Sequence, residues 1–238
     1  MTSASDSIGR LDLEWIAMQA GLKPTIRVTV EPEHADAVAA RARRDGCAVE
    51  RAAHVIEFPG RAPSVVLYLA RDANRARELV GAEAPLLPVN GRPLPLDEAL
   101  PLHARLGELL GFPRCCIDAF CARLRRGVTR RLDGRDAHED FVAAEDAARA
   151  SHRFLARLND LSPDRRARIV TFYPCRYDCP TASTYAAGVF TQAERVHPAA
   201  AAELRTALLG RVSILTDGTR GRPDAADRAA LTVDFRDF

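Results

Sequence analysis

A chain of 238 residues with 47% hydrophobic side chains is long enough to bury a core as one large domain or two small ones. Its 34 basic residues nearly balance its 32 acidic residues, and a formal net charge of +2 argues against a protein that binds nucleic acid through bulk positive charge. No apolar run approaches the roughly 20 residues of a membrane-spanning helix, and the first ten residues contain no apolar signal core, so we expect a cytoplasmic protein without a membrane partner.

The first part of the chain predicts a small α+β layer. After a polar tail and a short amphipathic helix in residues 1–23, Thr25 to Val30 alternates with period two, as a half-buried strand does. A helix, a strand and the apolar run from Ser64 to Ala70 follow, and Asp72 can cap the helix after that. The elements of residues 24–83 are therefore predicted to be β-α-β-β-α.

Proline positions predict where the domains meet. Four prolines and an Asn90-Gly91 pair lie within residues 84–97, which we interpret as an extended connection and a domain boundary. Residues 98–238 are then predicted to form a mainly helical domain, with a C-terminal hairpin from Arg211 to Leu215 and Ala230 to Phe235. The predicted fold class is α+β: a small N-terminal α/β sheet layer followed by a mainly helical domain that carries a cysteine site.

Five of the six cysteines lie in two short segments, residues 111–121 and residues 172–180. They are Cys115, Cys116 and Cys121 in the first segment, and Cys175 and Cys179 in the second. Because a reducing cytoplasm keeps thiols unpaired, such clustering indicates a metal site or reactive thiols before it indicates disulfides. Cys47 stands alone at the start of a predicted strand, and we interpret it as a core residue.

Both segments place thiols where helices are predicted to begin. Gly111 is typical of the end of one helix and Pro113 of the start of the next, so Cys115 and Cys116 fall in the first turn. Cys179 precedes a proline and is a candidate N-cap by the same reasoning. The exposed amide groups and the helix dipole at such positions favour thiolate over thiol and offset part of the charge of clustered thiolates.

Four thiolates suit a tetrahedral zinc ion or an iron–sulfur cluster. The sequence lacks the Cys-x-x-Cys knuckle of many structural zinc sites, and an adjacent pair with a wider second spacing fits a cluster better. We therefore predict an iron–sulfur cluster, with zinc as the alternative cofactor, on Cys115, Cys116, Cys175 and Cys179. Cys121 is the less favoured ligand, because about 100° of turn per residue carries it well around the helix from the first two cysteines.

Three alternatives to an iron–sulfur metalloprotein stay open. One is a non-enzymatic interaction module that zinc stabilises. Another is a redox protein in which Cys115/Cys116 and Cys175/Cys179 exchange disulfides. In the third, the cysteines are small buried hydrophobic residues and their clustering has no chemical meaning.

Polar residues within the cysteine segments are the candidate substrate-binding residues. They are Arg114, Tyr173, Arg176 and Tyr177. Either arginine could hold a carboxylate or a phosphate, so an enzyme acting on a small acidic metabolite is one hypothesis. The alternative is that the arginines pair with Asp118 and Asp178 or face solvent.

Histidines and carboxylates outside the cysteine segments give a weaker signal. His103 and Glu108 are interpreted as part of a solvated helix face. Glu145 and His152 are seven residues apart and share a predicted helix face, with the His138-Glu139-Asp140 run before them. A dinuclear carboxylate site needs Glu-x-x-His pairs on more than one helix, and this pattern is absent from the sequence.

The two cysteine segments together resemble a family of uncharacterised microbial proteins. The shared pattern is Gly-x-Pro-x-Cys-Cys, here Leu110 to Cys116 with Phe120, followed by Pro-Cys-x-x-x-Cys, here within Tyr173 to Cys179. The resemblance covers about residues 100–190 and leaves out the N-terminal layer. It implies that the four cysteines of this pattern belong together and that Cys121 is not one of them. The family is a domain of unknown function, so the resemblance implies no reaction.

Overall fold

The computed structural model describes residues 13–56, 62–87, 94–125, 169, 171–172, 174–175, 179–208, 211–215, 220–221 and 229–234. The chain divides into two compact units, residues 1–112 and residues 113–238, and each unit contains a three-stranded sheet together with helices. The prediction of an α+β fold is therefore confirmed. Over the described residues, no helix combines the length and the apolar character that crossing a membrane would need.

The first unit is built on a three-stranded sheet whose last strand in the chain lies between the first two. Its elements are α1 (13–19), β1 (Thr25–Val30), α2 (Pro32–Arg44), β2 (Ala48–Ile56), β3 (Ser64–Ala70), α3 (Ala73–Glu83), a 3-10 turn (Ala84–Leu86) and α4 (Leu96–Leu109). Both β1 and β2 pair antiparallel with β3, so β3 is central and its two neighbours run parallel to each other. Helix α2 makes the connection between those parallel strands.

The central strand β3 is apolar throughout because both faces of the sheet are covered. Val65, Leu67 and Leu69 belong to a buried cluster with residues of α1 and α2. Val66 and Tyr68 point the other way, into a cluster with residues of α3 and α4. A strand buried on both faces reads as a continuous apolar run rather than as an alternation, which is what the sequence shows here.

Helix α4 belongs to the first unit. Leu109 and Leu110 pack in the cluster that covers one face of β3, and the Thr25 hydroxyl donates a buried hydrogen bond of 2.7 Å to the Leu109 carbonyl. The sequence prediction grouped this helix with the cysteine domain and put the domain boundary in residues 84–97. The division of the chain into two compact units falls after Phe112. Residues 88–93 of the predicted connection lie outside the described residues.

The turn after α4 is fixed by a close contact within the same unit. Gly111 has a positive φ of 76°, the left-handed conformation that ends many helices. A Cβ atom on this residue would lie 2.4 Å from Cδ of Pro24. The glycine that opens the first cysteine segment is therefore required by the packing of the first unit.

A buried carboxylate ties α3 to the sheet. Glu83 is 6% exposed, and Nε of Arg27 donates to both of its carboxylate oxygens at 2.7 and 2.8 Å. The Tyr68 hydroxyl donates to the same carboxylate. Burial, followed by this hydrogen bond and by the Glu83 charge, raises the pKa of Tyr68 far above its usual range.

Substituting Glu83→Gln is expected to lower the free energy of unfolding by about 2 kcal/mol, because the buried Tyr68 hydroxyl and the partly buried Arg27 guanidinium lose a charged acceptor. Urea denaturation of the full chain measures this loss. Glu78→Gln is the matched control, since Glu78 lies on the same helix and pairs with Arg105, but both of those side chains are about half exposed. The control should change stability by less than about 1 kcal/mol. Equal losses in the two variants would contradict a structural role for the buried carboxylate.

The second unit contains α5 (Arg114–Arg125), α6 (Pro180–Val196), α7 (Pro198–Leu208), β4 (Arg211–Leu215), β5 (Arg220–Gly221) and β6 (Ala229–Asp234). Its strands are antiparallel in the order β5-β4-β6, and the two strands expected at the C-terminal end of the chain correspond to β4 and β6. Among the described residues between α5 and α6, residues 169 and 171–172 have no strand pairing.

Helices α6 and α7 pack against each other in the second unit. Arg205 of α7 places its guanidinium 5.1 Å from the Phe190 ring centroid and donates to Glu194 at 2.6 Å. The buried side of α6 is formed by small and apolar side chains, Ala182, Ala186, Val189, Phe190 and Ala193. Packing on this side holds α6 in place, and its N-terminus is where the second cysteine segment ends.

Candidate metal centre

Four cysteines come together in the second unit. The sulfur atoms of Cys115, Cys116, Cys175 and Cys179 all lie within 4.8 Å of one another and could hold a metal ion. These are the four residues that the sequence predicts as ligands. Cys121 lies outside this group and is buried on α5.

Three of the four sulfurs form a nearly equilateral triangle. The Sγ–Sγ distance is 3.9 Å between Cys115 and Cys116, 3.8 Å between Cys115 and Cys179, and 3.8 Å between Cys116 and Cys179. A disulfide would bring two sulfurs to about 2 Å, so these contacts are between thiols. Four thiolates at about 2.3 Å from one tetrahedral ion have sulfurs about 3.8 Å apart, which agrees with the triangle.

Helix starts position the first pair of thiols. Helix α5 begins directly after Pro113, whose carbonyl accepts from the amides of Cys116 and Ile117 at 2.9 and 3.0 Å. The fixed φ of a proline suits this first turn, which sets Cys115 and Cys116 at the N-terminal end of the helix.

A second helix start positions Cys179. This residue is the N-cap of α6, and its carbonyl accepts from the Ser183 amide at 3.0 Å. The Cys175 backbone N–H donates to the Cys116 sulfur at 3.4 Å, which joins the second segment to the first. The sequence prediction missed that contact, because no local pattern reports a hydrogen bond between residues 59 positions apart.

Burial and mutual repulsion disfavour several negative charges in the cluster when no cation is bound. Burial, and after it the charges of Cys179, Cys175 and Cys115, raise the pKa of Cys116 far above its usual range, although the Cys175 amide acts in the opposite direction. Burial, together with hydrogen bonds to Cys179 and Cys115, raises the pKa of Cys175 to about 11. A bound cation would offset this repulsion, and its binding would release protons.

The surroundings of Cys179 stabilise a negative charge on its sulfur. Burial alone would raise its pKa, but the Ala182 backbone N–H at the start of α6 and hydrogen bonds from the neighbouring thiols outweigh burial, so the pKa is lowered. The effect is the expected one for a thiol beside the amides of a helix N-terminus.

The four thiols differ in their access to solvent. Cys116 and Cys179 are 2% and 1% exposed, Cys175 is half-buried, and Cys115 is exposed. The cluster therefore has a buried side and one sulfur-bearing residue at the surface.

The remaining predicted site residues are distributed as follows. Arg114 is exposed and donates to Asp118 at 3.0 Å, a pair one helical turn apart. Tyr173, Arg176 and Tyr177 lie outside the described residues, as does Asp178. Cys47 is 5% exposed and packs in the core between the sheet and α2, as the sequence predicts.

The histidine and carboxylate candidates give no comparable cluster among the described residues. His103 is half-buried, and burial lowers its pKa, while the charge of Glu83 acts in the opposite direction. Glu108 lies 3.6 Å from Arg105 on the exposed side of α4. The candidates between residues 138 and 152 lie outside the described residues. A further group of Glu31, Glu33 and His34 at the start of α2 is partly exposed, and exposed acidic groups are common without a metal.

Comparison with known proteins does not assign this chain to a family. The chain matches no protein-family model, no curated protein and no solved structure. The evidence for a metal site is therefore the arrangement of the four cysteines themselves.

Proposed function

We propose that this protein binds one zinc ion through the thiolates of Cys115, Cys116, Cys175 and Cys179. The observation that supports this most strongly is the triangle of Sγ–Sγ distances of 3.8 to 3.9 Å, which is the spacing of thiolates around one tetrahedral ion. Zinc is favoured over harder divalent cations because four sulfur ligands select soft or borderline metals.

The iron–sulfur cluster expected from the sequence is the alternative occupant of the same cysteines. In a four-iron cluster each thiolate binds a different iron, so the thiolate sulfurs are farther apart than they are around one ion. The observed spacing therefore supports a single ion better than a cluster. A single iron in the same four-thiolate site is the closest competitor to zinc.

The proposed role of the ion is structural. Four protein thiolates complete a tetrahedral shell and leave no position for a substrate, which is typical of structural zinc sites. The ion would join the start of α5 to the start of α6, where Cys115 and Cys179 are separated by 64 positions in the chain. We therefore favour a zinc-stabilised interaction module in a reducing, cytoplasmic setting, where thiolates persist.

An enzyme acting on a small acidic metabolite is the second candidate, and one observation favours it. Cys115 is exposed, so a ligand exchange at this residue would open a coordination position to solvent. Arg114 beside it is the candidate for binding an acidic group, but its guanidinium already pairs with Asp118. A substrate would have to compete with that carboxylate.

Metal and acid-labile sulfide analysis of the full chain, purified without oxygen, tests the proposal. We expect about one zinc per chain and no sulfide. The Cys179→Ser variant should lose most of the zinc, whereas Cys121→Ser should keep it, because Cys121 lies outside the group of four sulfurs. Finding iron together with sulfide would contradict the zinc proposal and show that the cysteines hold an iron–sulfur cluster. Metal-free protein would leave the thiols as redox groups or core residues.

A further inference from the structure

Solvent access separates one cysteine from the other five. All six cysteines are described by the structure, and Cys115 is the only one whose side chain is exposed. Cys175 is half-buried, and the other four are buried. An oxidant dissolved in water therefore meets the Cys115 sulfur first.

A second thiol lies beside this exposed one. The Cys179 sulfur is 3.8 Å from the Cys115 sulfur. Cys179 as a whole is only 1% exposed. A shift of about 2 Å would bring the two sulfurs to disulfide distance. An exposed thiol with a neighbouring thiol able to react with its oxidised form is the usual arrangement of a redox-sensitive cysteine.

We propose that Cys115 is a site of oxidation by hydroperoxides, that Cys179 closes the resulting disulfide, and that the bound metal is released as a consequence. The inference rests on the proposed metal site. It adds hydroperoxides as the class of reactant, the sequence in which Cys115 and Cys179 react, and control of metal binding by oxidation.

The reaction balances with the peroxide as its only oxidant. With hydrogen peroxide, the Cys115 thiolate attacks one peroxide oxygen, a sulfur–oxygen bond forms, the oxygen–oxygen bond breaks, and the departing hydroxide takes a proton to become water. An organic hydroperoxide would release an alkoxide instead, which takes a proton to become an alcohol. The sulfur loses two electrons and becomes a sulfenic acid. The Cys179 thiolate then attacks that sulfur, a sulfur–sulfur bond forms, and the sulfenic oxygen leaves as hydroxide and takes a proton to become a second water.

Cys179 is favoured over Cys116 as the partner of Cys115. Cys116 is almost as close, at 3.9 Å, but it is the next residue in the chain, and a disulfide between adjacent cysteines closes a small strained ring. A bond from Cys115 to Cys179 spans two helix starts and closes no such ring. It removes two of the four thiolates, so the remaining two hold the ion poorly.

Hydrogen peroxide added to the zinc-loaded full chain tests this inference. Zinc release is followed with a colorimetric chelator, and disulfides are mapped by mass spectrometry. We expect zinc release in step with a Cys115–Cys179 disulfide, and recovery of zinc binding after thiol reductant. Release from Cys115→Ser, normalised to the zinc bound, should be about tenfold slower, while Cys121→Ser should match the unsubstituted chain.

Trapping of the first oxidised residue makes the test independent of how well Cys115→Ser binds zinc. With less peroxide than protein, a sulfenic-acid reagent should label Cys115 in the unsubstituted chain. Labelling first at Cys175, or a first disulfide other than Cys115–Cys179, would overturn the inference. Zinc measured before peroxide separates the two proposals: protein that holds zinc and resists peroxide contradicts only the oxidation site, whereas protein without zinc contradicts the metal site.

Discussion

Removal of the proposed zinc ion is expected to unfold the helices of the second unit while the sheet of the first unit stays folded. Binding of structural zinc to small domains is worth about 10–16 kcal/mol, which equals or exceeds the whole stability of a typical domain. The ion would cross-link the starts of α5 and α6, so its loss removes the contact that joins these helices at the cysteines. The first unit has its own clusters of buried side chains on both faces of β3.

Hydrogen exchange with and without a strong chelator measures this effect by region. Amides of α5 and α6 should lose protection, whereas amides of β3 should keep it. A matched pair of variants removes the need for a chelator: Cys116 and Cys121 are both buried on α5, but only Cys116 belongs to the group of four sulfurs.

The expected losses in free energy of unfolding differ widely between the Cys116 and Cys121 variants. Cys116→Ser should destabilise the second unit by several kcal/mol, since it removes a ligand, and Cys121→Ser by about 1 kcal/mol, as for an ordinary polar substitution in a core. Comparable losses in the two variants, together with unchanged exchange in chelator, would show that the cluster does not depend on a metal.

Gly111→Ala is expected to lower the free energy of unfolding by about 3 kcal/mol. Two costs add at this position: an alanine at positive φ costs about 1–2 kcal/mol, and overpacking costs about 1–3 kcal/mol. The overpacking arises because the new Cβ would lie 2.4 Å from a ring carbon of Pro24, so the chain must shift.

Gly46→Ala is the control that isolates the first cost. Gly46 has a φ of 80° at the end of α2, and nothing lies within 4 Å of the position of its Cβ. Its substitution should cost only about 1–2 kcal/mol. Urea denaturation of both variants gives the difference, and equal costs would mean that the contact with Pro24 relaxes without strain.

Local patterns in the sequence predicted the elements of the first unit well. The bounds of β1 and β3 agree with the structure, and Asp72 caps α3 by accepting from the Asn74 amide at 2.9 Å. Gly46 ends α2 in the left-handed conformation. These features depend on residues within a few positions of each other, which is why period and capping rules capture them.

Contacts between distant residues were not predictable in the same way. The placement of α4 depends on Leu109 and Leu110 meeting β3, and the Arg27–Glu83 pair joins residues 56 positions apart. Gly111 illustrates the difficulty: it belongs to the cysteine pattern in the sequence, yet its conformation and its contact with Pro24 serve the first unit.

The candidate site was predictable as a set of residues but not as a geometry. Clustering and helix starts selected the four cysteines, and the structure brings all four together. The choice between one ion and a cluster depends on sulfur–sulfur distances, which spacing along the chain does not encode. The resemblance to an uncharacterised cysteine-motif family stays a prediction.

The central position of β3 has a consequence for the order of folding. Strands β2 and β3 are neighbours in the chain and pair directly, so their hairpin closes a short loop and forms on the microsecond timescale. Strand β1 pairs with the opposite edge of β3, across more than 30 intervening residues, and must search for its partner more slowly. We therefore expect the β2–β3 pairing to form in the folding transition state before β1 joins the sheet.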